Sequence, residues 1–458
     1  MKYFRRDCYF HAAFIALAVS QIFSVVTWAA DYEPKPNDPY FVKFNPRQAP
    51  APGPLLLKEG DRLAIIGDSI TEQKMYSRII ETYLTACTPE LKITARQFGW
   101  SGETAEGFVH RMTNDCLRFN PTVATLGYGM NDHRYRPYDT ENLQWYLDEY
   151  SAIAHCLQDT GARVVLGSPG CVGRVPHWVK PSSEAFTVDE LNVNLCALRD
   201  GDIQLAKAMR TPFADVFWTM YQAGFAGQTR YGTNFAIAGK DGVHPGWAGH
   251  LVMAYAFLRA MGLDGNLGTF TVDLATQTAT ATGGGHDVTG IQSNQLTVVS
   301  TRYPFCAGGA TNLDDSLRAG TTLVPFFQNL SRLQLVVKNA RAPQYYVIWQ
   351  SATNSYTNTY TAAQLAAGIN LAADYAENPF SEAFRRVDQA VAAKQAYETV
   401  QIKQFFHSPE ARADMAKVVE TTEAQRAPLA QAIADAMVPV RHTLWFQAVP
   451  DPQNPGAH

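Results

Sequence analysis

The 458-residue sequence has no excess of either charge, with 38 Lys and Arg against 42 Asp and Glu for a formal net charge of −4. Without a basic surplus there is no electrostatic footprint for nucleic acid or for an anionic lipid surface. Its seven cysteines and eleven histidines include no Cys-x2-Cys and no His-x3-His pair. The spacing that builds a metal centre is missing, and no metal is expected. No nucleotide cradle is complete either. Gly127-Tyr128-Gly129-Met130-Asn131-Asp132 begins a dinucleotide fingerprint but lacks its last glycine, and Gly67 to Lys74 lacks the second glycine of a phosphate loop. No cofactor is therefore expected. Beyond residue 30 no run is long and apolar enough to cross a membrane.

What is present begins with the first thirty residues. Lys2, Arg5 and Arg6 precede an apolar stretch from Ala12 to Ala30 that ends Thr27-Trp28-Ala29-Ala30. This reads as a secretory signal cut near Ala29 or Ala30, with an uncleaved anchor as the alternative. The expected location is secreted or periplasmic, with no stable membrane insertion once the signal is removed. Residues 31–60 are rich in proline, from Pro34 to Pro54, and read as an extended lead-in. Six cysteines remain after the signal. An exported chain permits disulfides, and Cys87 with Cys116, near the ends of successive helices, is the expected pair, against buried thiols as the other reading. A composition of 46% hydrophobic and 17% charged residues is enough for a sizeable core.

From Asp61 the pattern alternates. Apolar strand candidates at Arg62 to Ile66, Lys92 to Phe98, Thr122 to Leu126, Arg163 to Leu166 and Thr211 to Val216 are separated by amphipathic helix candidates. The helices fall at Glu72 to Ala86, Glu106 to Leu117, Asn142 to Asp159, Asp189 to Met209 and Trp247 to Met261. Such βαβα spacing predicts an α/β fold, a three-layer αβα parallel sheet over 61–264. After Gly262 the texture changes to Thr-rich alternation with Gly and Asn turns, which predicts a small β domain over 265–360, and 361–458 reads as a C-terminal helical region packed on one of its neighbours. Tyr345, Tyr346, Trp349, Tyr356 and Tyr360 are aromatics at strand spacing, more often core than a sugar-stacking platform.

The chemistry sits at the carboxyl ends of the predicted strands. Gly67-Asp68-Ser69-Ile70-Thr71 follows the first strand and opens a helix, a position where open α/β sheets bind ligands, although Ser there is equally a helix cap. Far downstream, Asp241-Gly242-Val243-His244-Pro245 supplies an imidazole and a carboxylate on a short loop. A serine hydroxyl needs a base within hydrogen-bond reach, and a carboxylate on the other ring nitrogen fixes the tautomer that accepts its proton. Gly102 and Asn131 each have a plain turn role as well as a donor role. His133 and His177-Trp178 are candidates for the pocket mouth.

Gly67-Asp68-Ser69, Gly99-Trp100-Ser101-Gly102-Glu103-Thr104, Gly129-Met130-Asn131-Asp132 and Asp241-Gly242-Val243-His244-Pro245, in that order, resemble the four blocks of the SGNH (GDSL-type) hydrolase family. The resemblance spans Asp61 to Gly262, with Ile70 where the family has Leu. It implies a flavodoxin-like sheet, Ser69 as nucleophile, Asp241 and His244 as the rest of a catalytic triad, and Ser69, Gly102 and Asn131 as oxyanion-hole donors. The expectation is an exported serine esterase acting on a small-molecule or polysaccharide ester, with O-deacetylation of carbohydrate favoured. The alternatives are a lipase or broad short-chain esterase, and a non-catalytic glycan-binding protein on a hydrolase scaffold. Acyl specificity, hydrolysis against acyl transfer, and oligomeric state stay open at this stage.

Overall fold

The computed structural model describes residues 32–179 and 187–450. The signal read at 1–30 lies outside the described residues. Five strands, β1 (Arg62–Gly67), β2 (Thr94–Gln97), β3 (Val123–Gly127), β4 (Arg163–Gly167) and β5 (Phe213–Ala214), form one sheet in the order β2-β1-β3-β4-β5. Every pairing is parallel. Between them run α1 (Ser69–Glu72), α2 (Tyr76–Cys87), α3 (Ala105–Asp115), α4 (Thr140–Asp159), α5 (Val188–Met209), α6 (Val216–Tyr231) and α7 (Trp247–Ala260).

Alternation along β1 separates the layers. Leu63 and Ile65 join an apolar cluster with α2, α6 and α7, whereas Ala64 and Ile66 join a second with α3 and α4. Side chains alternate across a strand, so the clusters lie on opposite faces and the sheet is covered on both. This is the three-layer αβα architecture of a flavodoxin-like fold. The sheet order reverses between β1 and β3, and a ligand crevice opens outside the carboxyl ends of strands at such a switch point.

The sequence reading has no helix between the fifth strand and Trp247, yet α6 occupies that interval. Its apolar side chains include Phe217, Trp218, Met220 and Tyr221, all buried, and so many aromatics around one helix blur the 3.6-residue period. The proline-rich lead-in supplies its cover. Phe41 and Phe44 are buried, with Phe44 edge-on to Tyr221 at 4.7 Å between ring centroids and Phe41 edge-on to Trp218 at 5.7 Å. Buried Arg199 ties the same lead-in down, pairing with Glu33, Asp200 and Asp215 and donating to the Arg47 carbonyl.

Two further sheets follow. Strands β6 (Asn266–Asp273), β7 (Thr278–Thr282), β8 (His286–Gln292), β9 (Gln295–Ser300), β10 (Arg332–Lys338), β11 (Gln344–Gln350), β12 (Ser355–Thr361), β13 (Ile369–Asn370) and β14 (Val440–Ala448) assemble as β13-β10-β6-β7 and β12-β11-β14-β9-β8. β14 lies in the middle of the second of these, between β9 and β11. The segment read as a C-terminal helical region therefore ends in a strand, because Val440, His442, Leu444 and Phe446 alternate inward. Trp349, Tyr345 and Tyr360 are buried; Trp349 Nε1 donates to His442 Nδ1 at 3.1 Å, so these aromatics are core and not a sugar platform.

The helices between β13 and β14 fold back on the first sheet. The helix Ser381–Val400 packs on α2 and β2. β2 is an edge strand, and its outward groups are taken by buried side chains: Ala95 carbonyl accepts from Lys394 Nζ at 2.6 Å, and the Gln97 N–H donates to Glu398. Covering an edge this way removes a pairing template. Cys87 and Cys116 sit in the two separate clusters on opposite faces of the sheet, and both are buried thiols. The expected disulfide between them is therefore corrected: the sheet itself stands between the two sulfurs.

Candidate active site

Ser69 is placed by the turn that joins β1 to α1. β1 ends at Gly67, and Asp68 caps α1 by accepting the Ile70 N–H at 2.9 Å. Ser69 therefore starts the helix at the carboxyl edge of the sheet, where its own N–H has no partner within the helix. Asp68 is buried. Burial pushes its carboxyl up to about 8, the Ile70 N–H opposes that, and the nearby Asp132 and Glu103 charges add to the rise.

The other half of the site arrives 175 residues later. Asp241 and His244 lie on the tight loop between α6 and α7, where Gly239 at φ +79° has no room for a side chain because a Cβ would sit 1.7 Å from the His244 carbonyl oxygen. Asp241 Oδ1 accepts the backbone N–H groups of Val243 and His244, each at 2.9 Å, and Oδ2 lies 2.7 Å from His244 Nδ1. His244 Nε2 lies 2.9 Å from Ser69 Oγ. Partial burial works against the Asp241 charge, but the two backbone donors and the His244 ring outweigh it and hold the carboxyl below the usual range. An ionised Asp241 takes Nδ1–H, which leaves Nε2 as the acceptor facing the serine hydroxyl.

The two remaining candidates lie on the loops after β2 and β3. Gly102 has φ +74°, a left-handed conformation that an L side chain resists, and the space a Cβ would enter is open. Asn131 Nδ2 donates to the Glu103 carbonyl at 3.0 Å, joining the two loops. An amide nitrogen carries two hydrogens, so one more donor remains on Asn131. Asp132 braces the same junction, accepting from Ala105 N–H and Gly129 N–H, each at 2.8 Å. Glu103 is gripped by Arg111 through both carboxylate oxygens at 2.6 Å and by the Tyr128 hydroxyl.

The mouth is aromatic. Trp178, 41% exposed, has its ring centroid 5.9 Å from that of His244 and 6.2 Å from that of Tyr135, and His177 stands against Trp178. His133 does not line this mouth: it is fully buried against Tyr135, its Nδ1 paired with the Met130 carbonyl, and burial pushes its ring down to about 4. Sequence reasoning missed the bracing of Asp132 and Glu103. The only signal for them was their position directly beside Asn131 and Gly102.

The comparisons with known proteins bear on the family and the fold. Residues 65–252 match the profile of the GDSL-like Lipase/Acylhydrolase family. These residues form a GDSL-like hydrolase domain. An acetylxylan esterase of Geobacillus stearothermophilus is 26% identical over 226 residues, spanning 45% of this chain and 95% of the relative. The structure of a gut microbial diltiazem-metabolizing enzyme superposes with a TM-score of 0.69 at 20% identity, over 88% of this chain and all of that one. That likeness concerns the fold, and it extends past the GDSL-like domain into the β sheets and helices that follow it. The chain is an ester-bond hydrolase.

Proposed function

We propose that the chain is an exported serine esterase that works through an acyl-enzyme, with carbohydrate O-acetyl groups as its substrate class. The observation that carries the mechanism is the unbroken chain Ser69 Oγ, His244 Nε2, His244 Nδ1, Asp241 Oδ2, with links of 2.9 and 2.7 Å. Ser69 Oγ attacks the ester carbonyl carbon while its proton passes to His244 Nε2, and Asp241 stabilises the imidazolium. The negative oxygen of the tetrahedral adduct takes hydrogen bonds from the N–H of Ser69, the N–H of Gly102 and the second hydrogen of Asn131 Nδ2. Collapse breaks the bond to the alcohol oxygen, which leaves with the proton from His244. Water then repeats the sequence on the acyl-enzyme and releases the acid.

Support for an acetyl ester of a carbohydrate comes from the acetylxylan esterase relative and from a site that opens to solvent. The Asp241 and His244 side chains are 30% and 28% exposed, beside the exposed Trp178 ring, so among the described residues the approach of a bulky alcohol to His244 is left open. The sequence of residues 1–30 supports export.

Turnover of 4-nitrophenyl acetate, inactivation by a serine-directed phosphonate, and loss of both in Ser69→Ala with an unchanged circular dichroism spectrum test the mechanism. Acetate release from a panel of acetylated polysaccharides tests the substrate class. Turnover of the nitrophenyl ester with no release from any polysaccharide would leave the esterase and remove the carbohydrate.

A further inference from the structure

The loop that carries Gly102 is held from outside the GDSL-like domain. Its ends are pinned within that domain: Trp100 N–H donates to the Gly67 carbonyl at 3.1 Å, and Glu103 is clamped by Arg111. Between them Ser101 and Gly102 are exposed, and Gly102 has no side chain to anchor it. What takes the Ser101 N–H is Glu72 Oε2, on the last residue of α1. The two backbones are nearly in contact there, since a Cβ on Gly99 would sit 2.2 Å from the Glu72 nitrogen.

Glu72 is in turn fixed by a residue more than 300 positions away. Lys403 Nζ lies 2.8 and 2.9 Å from its two carboxylate oxygens. Lys74 Nζ is also near, but it bonds the Glu72 backbone carbonyl. Lys403 sits in a single π-helical turn, Gln401–Phe405, continuing the helix Ser381–Val400, and wide turns of this kind recur at functional sites. The turn is itself anchored: buried Gln401 donates to Thr422 Oγ1 at 3.0 Å and to Glu423. The same segment closes over Trp100, with Lys403 Nζ 5.1 Å and the His407 ring 5.2 Å from the Trp100 ring centroid, and His407 Nε2 reaches Asp115 at 3.0 Å.

We propose that Lys403 is a positioning residue for ester hydrolysis. The C-terminal helices deliver a cation that fixes Glu72, and Glu72 fixes the backbone at Ser101, one residue ahead of the N–H that meets the developing oxyanion. The helical segment thus completes the GDSL-like site. The inference rests on the reading of Ser69, Gly102 and Asn131 as the reacting site. A misplacement of a donor by a fraction of an ångström is felt in the transition state and hardly at all in substrate binding.

Lys403→Met keeps the stem against Trp100 and removes only the charge. Its kcat and kcat/KM on 4-nitrophenyl acetate should fall together, by about 10- to 100-fold, with KM unchanged, as expected of an interaction made only in the transition state. Lys403→Arg should restore most of the rate, and Arg386→Ala, an exposed cation on the same helix, should leave it unchanged. Should Lys403→Met fail to fold, Glu72→Gln breaks the same link and is read the same way. Wild-type kcat in Lys403→Met, a rise in KM alone, or no recovery in Lys403→Arg would overturn the proposal. Ser69→Ala is measured alongside: full activity there sinks the site reading itself, whereas an inactive Ser69→Ala with a fully active Lys403→Met sinks only the role of Lys403.

Discussion

Asp241 grips His244 twice, once at the ring through Oδ2 and Nδ1 at 2.7 Å and once at the backbone N–H through Oδ1 at 2.9 Å. The second contact holds the loop and the first chooses the tautomer, so the two jobs are separable by mutation. Asp241→Asn keeps an oxygen for the backbone donors but turns an NH2 toward Nδ1. The ring must then accept at Nδ1 and carry its proton on Nε2, where it cannot act as base toward Ser69. The expected result is a loss of kcat on the order of 10³- to 10⁴-fold with little change in the unfolding midpoint, measured by steady-state kinetics and urea titration. Activity within tenfold of wild type would remove Asp241 from tautomer control.

Asn131 has a structural bond and a free donor on the same nitrogen. Asn131→Ala removes both, and loss of one oxyanion donor costs about 2.7–4 kcal/mol of transition-state stabilisation, or roughly 10²–10³ in kcat. Asn131→Asp should be no better than Ala, since a carboxylate presents only acceptors to a developing negative charge. Single-turnover acylation rates check this directly. If Asn131→Asp retains the wild-type rate, Asn131 is not an oxyanion donor.

The first sheet was legible because its central strands β1 and β3 are buried on both faces. Leu63 to Ile66 is a continuous apolar run and Val123 to Leu126 is broken only by Thr125, and a strand followed by Gly-Asp-Ser has few other readings. What was not legible depends on contacts distant in sequence. Nothing local says that Val440–Ala448 inserts between β9 and β11, since its alternation fits any half-buried strand. The aromatic surface of α6 makes sense only with Phe41 and Phe44 laid on it. Lys403 reads as one solvated cation in a helix until Glu72 is beside it. Cys87 and Cys116 are close in helix order, yet the sheet separates them. The site motifs were legible, but the braces at Glu103, Asp132 and Glu72 exist only in three dimensions.

His250 sets an acid limit on stability. It is buried on α7, its Nδ1 accepts the Tyr76 N–H at 3.2 Å, and its Nε2 lies 3.2 Å from Gln73 Oε1. Burial pushes the ring down to about 3, with the neighbouring His244 adding to the fall. The unfolded chain binds this proton near 6.5 and the folded protein only near 3, so below 6.5 the unfolded state holds more protons. The contribution is fully present above pH 6.5 and is lost as pH falls toward 3, by about 1.4 kcal/mol per pH unit for one proton. His250→Gln keeps polar groups at both contacts without the titration. Urea unfolding between pH 4 and 7 should give a shallower fall in stability for the variant, and parallel curves would place the acid limit elsewhere.

Lys394 carries the seam between the C-terminal helices and the sheet. It is buried, 2.8 Å from Glu398 and 3.0 Å from Glu81, and donates to the Ala95 carbonyl on the edge of β2. Burial pushes Glu81 up, with Lys394 pulling against it, whereas Glu398, equally buried, is held below the usual range by Lys394 and Arg426. Lys394→Met removes the shared cation and leaves two buried carboxyls without it. Breaking such a cluster costs about 3–5 kcal/mol. The penalty should shrink as pH falls from about 8 to about 5, because a buried carboxyl without its cation sheds its charge by taking up a proton. Adding Glu81→Gln to Lys394→Met should recover part of the loss at the higher pH. Chemical unfolding of the full chain at both pH values measures these terms, and a pH-independent penalty would mean that the lost interaction is packing of the lysine stem rather than its charge.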